Sequence, residues 1–507
     1  MGCTLREAQY KAALLDDTRR SFAVDSLAGD YLGRRKVEID RAKIWELPGY
    51  VVGPYAEEDG SLHLDLDTEL SRRIDAEDLT RVSDLEDSLI YAVCEMEANG
   101  ARLDVAKLEA WHRRINKQIA DTVLEVYRTT GLKVNPNSAK DLERLFRYLD
   151  IKYSETATGL GSFTNDFLKG IQHPLIQQIR VVRQFSSLDS KYYKKFLKSA
   201  DGNGIIRFKL HQLKGNDNYG TISGRFSASG YSAQKGFNPQ QVYDDERQAE
   251  NVPDTADMLV REVFVPDDGF FWGKADASQI EFRLFADFAN ARRIVEAYRK
   301  NPWEDFHVQV ANVMDVGRKK GKGLNFGMIY CMGRDKLARQ LGVPQDEADA
   351  LYDKYNEMFP EVRPLIHLAI EKAKERGYVV TRLGRKARFN ESNMHRVHSA
   401  LNRVIQGTAA DIMKLKMREV YRNRKFLQIH KMRLTVHDEL DCDFECPEHV
   451  HGKFAELLNT PTPEVPMRTT IPILWETKHG PNWAHLSKKH DNKQEMDTRS
   501  ASRWNSA

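Results

Sequence analysis

The chain has 507 residues, room for about three domains with large buried cores. At 41% hydrophobic and 30% charged residues it is neither fibrous nor wholly disordered, no apolar run reaches the ~18–20 residues of a membrane span, and five cysteines are too few for a disulfide framework. Lys and Arg (77) barely exceed Asp and Glu (74), so net charge alone does not single out a nucleic-acid partner.

The distribution of charge says more than its sum. Acids dominate from Ala56 to Ile90, while Arg318, Lys319, Lys320 and Lys322 form one basic cluster and Arg382, Arg385, Lys386 and Arg388 another. Localised basic surface on a neutral chain suits a phosphate-binding cleft, although solvated helix faces give the same pattern. In chain order, Leu62, Leu66, Leu70 and Ile74, then Leu85, Leu89, Val93 and Met96, recur at helical spacing and predict helices before the break at Gly100. Leu108, Trp111, Ile115, Ile119, Val123 and Val126 predict a long helix that Gly131 stops. Ser138 and Asp141 read as a capping box for the next helix, which carries Leu142, Leu145 and Leu149. From Asn216 to Gln241 the chain is rich in Gly, Ser, Asn and Gln, which predicts a loop near a domain boundary. No signal peptide is expected after Met1, the cysteine usage predicts a reducing compartment, and the polar tail 488–507 is expected to be disordered.

Three segments of the second half carry chemistry. The aromatic run before Asp276 predicts a buried strand, with a helix following on which Ile280, Leu284 and Phe288 share a face. Asp276 at that junction either faces a cleft or caps the helix. In the second segment Arg318, Lys322, Phe326 and Tyr330 stand at successive i+4 positions on one helical stripe. Two cations and two rings can grip a triphosphate and stack a base. Basic residues at a helix N-terminus oppose its dipole, and Gly321, Gly323 and Gly327 each cost roughly 1 kcal/mol of helix propensity, so a ligand is expected there. In the third, Leu434 and Val436, then Leu440, Cys442 and Phe444, alternate around His437, Asp438 and Glu439, predicting strand–turn–strand. Paired with Asp276, Asp438 could hold two Mg²⁺ ions for in-line phosphoryl displacement. Cys442, Cys446, His449 and His451 are close enough to suggest zinc, but their spacing matches no common zinc pattern.

These segments resemble motifs A, B and C of the family-A DNA polymerases, the group typified by bacterial DNA polymerase I and its phage relatives. The resemblance rests on Asp-Ala-Ser-Gln-Ile-Glu at 276–281, Arg-x-x-x-Lys-x-x-x-Phe-x-x-x-Tyr at 318–330 and His-Asp-Glu at 437–439. Asn402 to Asp411 and Thr221 to Ser227 are similar to two further family elements, and all five stand in the family's order between about Leu103 and His485. The implied fold is α+β, a right hand with an antiparallel palm sheet and helical fingers and thumb. The implied division is an exonuclease-like segment at 1–100, thumb at 101–250, palm at 251–290 and 425–487, and fingers at 291–424.

The resemblance implies roles. Asp276 and Asp438, with the carbonyl of Ala277, would bind two Mg²⁺ ions, and Glu439 would sit beside them. Arg318 and Lys322, helped by His307, would hold the incoming deoxynucleoside triphosphate, with Gln279 also in the nucleotide site. Glu281 would block a ribose 2′-hydroxyl, Phe326 would pack near sugar and base, and Tyr330 would border the template insertion site. Arg225, Asn402, Gln406 and His437 would touch primer-template DNA. Cys331 stands where the family usually has Gly, and His398 where Arg is common.

The N-terminal part is similar to the late portion of the family's 3′→5′ proofreading exonuclease, with Tyr55 and Asp59 matching its Tyr-x-x-x-Asp motif. The earlier acids have no counterpart, so proofreading is not expected from this chain alone. Either a separate polypeptide supplies the missing half, or the exonuclease is truncated or lapsed. The expected activity is template-directed DNA synthesis, in the cytoplasm of a bacterial host if the gene is phage-borne, with no membrane partner. A single-subunit RNA polymerase and a non-catalytic DNA-binding replisome subunit are the competing readings. Glu281 and Glu439 favour DNA over RNA synthesis, and retention of Asp276, Asp438, Arg318 and Lys322 favours an enzyme.

Overall fold

The computed structural model describes residues 5–36, 39–156, 159–215, 219–232, 235–469 and 471–487. The tail expected to be disordered, 488–507, lies outside these residues. Two long helices, α1 (Gly49–Ala76) and α2 (Thr80–Asn99), form the N-terminal region. Their predicted stripes are the buried ones: Leu62, Leu66, Leu70, Leu85, Leu89 and Met96 are fully enclosed. The long helix α3 (Val105–Thr130) ends before Gly131 as expected and lies against α4 (Pro174–Leu188). Ser138 caps the intervening helix through the Asp141 N–H at 3.3 Å, but the Asp141 carboxylate accepts from the Asn135 N–H at 3.0 Å. The capping box is therefore only half formed: the reciprocal arm is turned onto the preceding loop. A separate hydrophobic cluster around Phe146, Phe163 and Ile179 fills this helical lobe.

The central layer is a four-stranded antiparallel sheet. Strand β1 (Phe271–Ala277) leads into α5 (Ile280–Ala289), and α6 (Phe306–Val313) and α7 (Arg318–Ile329) follow. A small hairpin, β2 (Tyr378–Val380) and β3 (Lys386–Arg388), precedes the long helix α8 (Ala400–Asn423). Then β4 (Ile429–Val436), β5 (Glu439–Phe444) and β6 (Trp475–Gly480) complete the sheet in the order β6-β1-β5-β4. The register places Asp276 opposite Glu439 and Ala277 opposite Trp475. Nearest cross-strand partners share a face, so this register, and not proximity in sequence, gathers the acids of the two segments.

One continuous core runs from Ala12 in the N-terminal region to Trp483 beyond the sheet. Helix α2 packs on α8 and on β4, so residues 80–99 belong physically to the central body. The break expected near residue 100 is a turn in the chain and not a break in packing.

Candidate active site

Asp276 is held at the end of β1. The next residues leave the sheet, with Ser278 N–H donating to the Leu474 carbonyl at 2.8 Å and Gln279 in a left-handed conformation (φ 51°) before α5 begins. Gln279 occupies the cap position of α5, so Asp276 is not its cap. On the facing hairpin Val436 pairs with Glu439, leaving His437 and Asp438 as a two-residue loop. His437 takes φ 60°, the sign that tight hairpin loops require. The loop is locked to β1 by the Ala277 N–H, which donates to the Asp438 carbonyl at 3.1 Å.

The two carboxylates thus meet. Burial, then the neighbouring Asp438 charge, pushes the Asp276 carboxyl up to about 7, and burial also raises Asp438. Among the described residues, neither carboxylate has an ion pair or a side-chain hydrogen bond from another residue. Glu439 is different. Lys274 bonds it, Trp483 Nε1–H donates to it at 2.6 Å, and Arg261 lies 3.5 Å away. Burial opposes its ionisation, but Lys274 and Arg261 outweigh that and hold it at about 2. Glu439 is therefore a buried support beneath the two aspartates and not a free ligand. Among the described residues no set of three metal-ligating side chains converges. The donor set that fits a hard divalent cation is two carboxylates without a direct ion pair among the described residues, to be completed by backbone, water or substrate oxygens.

The helix α7 lies across from them. Arg318 pairs with Asp305 at 2.8 Å, and Asp305 also caps α6 through the His307 N–H at 2.9 Å. Lys319 is taken by Glu250, and Lys320 donates to the Leu341 carbonyl at 3.2 Å. Lys322 is exposed and has no such partner among the described residues. A Cβ on Gly321 would fall 2.6 Å from the His307 carbonyl, so this glycine lets α6 and α7 approach. Helix packing, and not a ligand, accounts for it.

Two of the residues expected in the nucleotide site are engaged within the protein. His307 is only 2% exposed, and its Nδ1 lies 2.9 Å from Asn325 Nδ2. Burial, with the nearby Lys322 and Arg318 charges and against that of Asp305, pushes its imidazole down to about 4. Gln279 turns away toward the approach to α6, donating to the Glu304 carbonyl at 2.9 Å and accepting from the Phe306 N–H at 3.2 Å. Phe326 stands between His307 and Tyr330, with ring centroids 5.4 and 6.1 Å away. The Tyr330 hydroxyl donates to Glu281, which also receives Arg225. Glu281 therefore joins the end of α7 to the 221–227 loop.

The expected DNA face is a cleft of about 600 Å³ lined by Ser223, His395, His398, Asn402 and Gln406 among others. Asn402 Oδ1 is buried there with no hydrogen-bond partner. His437 is exposed at the hairpin tip and shares a pocket wall with Arg225 and Asp438. Cys331 adopts φ 62°, a left-handed conformation costly for any side-chain-bearing residue, and its thiol donates to the His398 carbonyl at 3.2 Å.

The second basic cluster is engaged by acids of the protein, and Arg385 and Lys386 border only a small pocket with Asp17 and Thr221. Arg382 pairs with Asp287 at 2.6 Å, Lys386 and Arg388 pair with Glu77, and Arg385 is buried between Glu86 and Asp411. Glu77 and Glu86 of the 56–90 run, together with Asp287 and Asp411, thus neutralise it. Sequence reasoning did not anticipate that Glu86 and Asp411 pair in the interior with Arg385 and Lys414, since nothing local marks a buried charge. Tyr55 and Asp59 lie on α1, where Asp59 pairs with Lys36. No acidic cluster with metal-ligand geometry surrounds them among the described residues.

Residues 105–485 match the family described as DNA polymerase family A. A DNA polymerase DpoZ of Salmonella phage PMBT28 is 30% identical over 85% of this chain and 76% of its own length. A thermostable DNA polymerase I of Thermus filiformis is also 30% identical, over 80% of this chain but only 48% of its own length. Among solved structures, the POL domain of Pol1 from M. smegmatis, in complex with DNA primer-template and dNTP, superposes with a TM-score of 0.73 at 25% identity, covering 94% of this chain and 82% of that one. The order of the three chemical segments, the right-hand sheet that brings two of them together and these likenesses agree: the chain belongs to the family A DNA polymerases and is a DNA-directed DNA polymerase.

Proposed function

We propose that the chain extends a primer 3′-hydroxyl with deoxynucleotides by a two-metal-ion mechanism. The observation that carries this is the pair Asp276 and Asp438, adjacent, raised by burial and, among the described residues, without a direct ion pair to a protein cation. Asp276, Asp438 and the Ala277 carbonyl would hold two Mg²⁺ ions, which when bound activate the attacking hydroxyl and stabilise the leaving pyrophosphate. Glu439, fixed by Lys274 and Trp483, keeps the β1 and β5 ends rigid beneath them. Lys322 and Arg318 take the triphosphate, Arg318 by exchanging its Asp305 partner for phosphate oxygens. Phe326 and Tyr330 offer flat faces to sugar and base, and Glu281 walls off the position of a 2′-hydroxyl. His307 serves by placing Phe326 and α7. Arg225, Asn402, Gln406 and His437 line the path of primer and template.

The division into an exonuclease-like segment (1–100), thumb (101–250), palm (251–290 and 425–487) and fingers (291–424) belongs to the same reading. So does the lack of proofreading, since Asp59 alone cannot assemble a two-metal site. A separate polypeptide docking on residues 1–100 is the form a restored exonuclease would take, and the bacterial cytoplasm is the expected setting.

The test is extension of a primed single strand with Mg²⁺, using matched and mismatched 3′ ends. Asp438→Ala should abolish extension while leaving primer-template binding intact; undiminished extension would remove the two-metal reading. With ~6–10 phosphate contacts, duplex affinity should also fall about 10³–10⁵-fold between 50 and 200 mM salt. A flat response would exclude a basic DNA cleft.

A further inference from the structure

Four charged side chains from distant parts of the chain meet in the interior beside the active site. Glu86 of α2 is fully buried and accepts from Arg385 Nη2 at 2.6 Å and from Lys414 Nζ at 2.7 and 2.8 Å. Gln212 donates to the same carboxylate at 2.9 Å, and Lys414 donates in turn to the Gln212 carbonyl at 2.9 Å. Arg385 Nε donates to Asp411 at 2.8 Å, and the Thr381 hydroxyl holds the other Asp411 oxygen at 2.7 Å. Two cations face two anions, so the group is charge-balanced.

What this quartet touches matters more than its balance. The Arg385 guanidinium lies against Gly224: a Cβ there would fall 2.7 Å from its Cζ and Nε, and Gly224 sits at φ +79°, where glycine alone is unstrained. Two residues on, the Lys414 ammonium stands 5.0 Å over the Phe226 ring. Between these grips is Arg225, whose guanidinium pairs with Glu281, the carboxylate that also receives Tyr330. Lys414 lines the same pocket as Ala277 and Asp438.

We infer that Glu86, far in sequence from the chemistry, is a positioning residue for nucleotide selection: by fixing Arg385 on Gly224 and Lys414 under Phe226 it sets where Arg225 meets Glu281. The N-terminal region is thereby part of the polymerase site and not an appendage to it. The path uses only contacts already described: carboxylate to guanidinium, guanidinium to glycine, the next residue to Glu281. It rests on the polymerase reading above, with Glu281 as the wall against ribose.

The control is Glu77. It ties the same β2–β3 hairpin to the N-terminal region through Lys386 and Arg388, but touches neither Gly224 nor Arg385. The experiment measures single-nucleotide extension by the full chain, comparing kcat and KM for deoxy- and ribonucleoside triphosphates in wild type, Glu86→Gln, Gly224→Ala, Glu77→Gln and Glu86→Asp. All are assayed below the onset of melting of the least stable variant. Glu86→Gln and Gly224→Ala should each lower the deoxy-over-ribo preference in kcat/KM about 5–10-fold, Glu86→Asp should recover part of it, and Glu77→Gln should keep the wild-type ratio. If Glu86→Gln does not fold, Glu86→Asp decides alone: it keeps the charge, draws the carboxylate back from Arg385 and Lys414, and should still lower the ratio measurably. An unchanged ratio in the folded variants, or an equal shift in Glu77→Gln, overturns the inference and makes the quartet purely structural. Absence of extension by the wild type would instead overturn the polymerase reading.

Discussion

Two groups of charge, one fully buried and one half-buried, border the same pocket and behave in opposite ways. Glu86, Arg385, Asp411 and Lys414 come from four places in the chain and neutralise one another, with nearly every donor and acceptor satisfied. Asp276 comes from a strand and Asp438 from the facing hairpin loop; they repel, with Lys274, Lys478 and Arg225 acting on them only at a distance and no direct ion pair among the described residues. A balanced buried cluster holds backbone in place and asks for nothing from outside. An unbalanced one costs stability in the free protein and is relieved by a cation, which is how a site for divalent ions differs from a structural ion-pair network. Glu439 marks the border: one residue after Asp438, it belongs to the balanced side.

The sharpest way to break this contrast is at its functional half. Asp276→Asn should cut primer extension by about 10³-fold or more, at the upper end of the loss from one preorganised electrostatic group, with the fold unchanged by circular dichroism. Equal extension by this variant would show that the carboxylate pair is not where the chemistry occurs. At the structural half, Glu86→Ala strands Arg385 and Lys414 in the interior and should cost about 3–5 kcal/mol in urea unfolding. Replacing Glu86 and Lys414 together by Leu and Met should recover most of that loss, because the remaining Arg385–Asp411 pair is still balanced. A double variant as unstable as the single one would show that charge balance is not what the quartet provides.

A smaller effect is expected at Lys322, exposed and without an ion-pair partner among the described residues. Lys322→Ala should raise KM for the nucleotide about tenfold, equivalent to roughly 1.4 kcal/mol, with duplex affinity little changed. Smaller still is a pH effect at Asp17, near the N-terminal contact with β3. Burial, partly offset by the Arg388 N–H, pushes its carboxyl up to about 6. The folded state then binds more protons than the unfolded one between about pH 4 and 6, so this group makes stability fall as pH rises through that window. Asp17→Asn should flatten that part of the profile and raise stability at pH 7 by about 1–2 kcal/mol. A steeper fall in the variant would reverse the assignment.

Much of the architecture was legible in local pattern. The leucine stripes of α1 and α2, the stop at Gly131, the strand ending at Asp276 and the hairpin around His437–Glu439 each follow from side-chain period and turn chemistry within a few residues. The stripe Arg318, Lys322 and Phe326 was also readable, because a helix imposes its neighbours at fixed spacing, with Tyr330 falling just past the helix end as its cap. Less legible was which charge faces what. His307 and Gln279 carry the right chemistry for a nucleotide, yet burial and the loop before α6 engage them elsewhere. The run Arg382–Arg388 looked like a phosphate cleft because its partners, Glu77, Glu86, Asp287 and Asp411, lie from about 20 to 300 residues away.

The sequence by itself therefore determined the elements, their order and the residue types able to hold metal and nucleotide, since those depend on short-range periodicity and intrinsic side-chain chemistry. Only the tertiary structure decided which carboxylates remain unanswered and which are neutralised, because a charge's protonation and availability depend on burial and on partners that the chain brings together from afar.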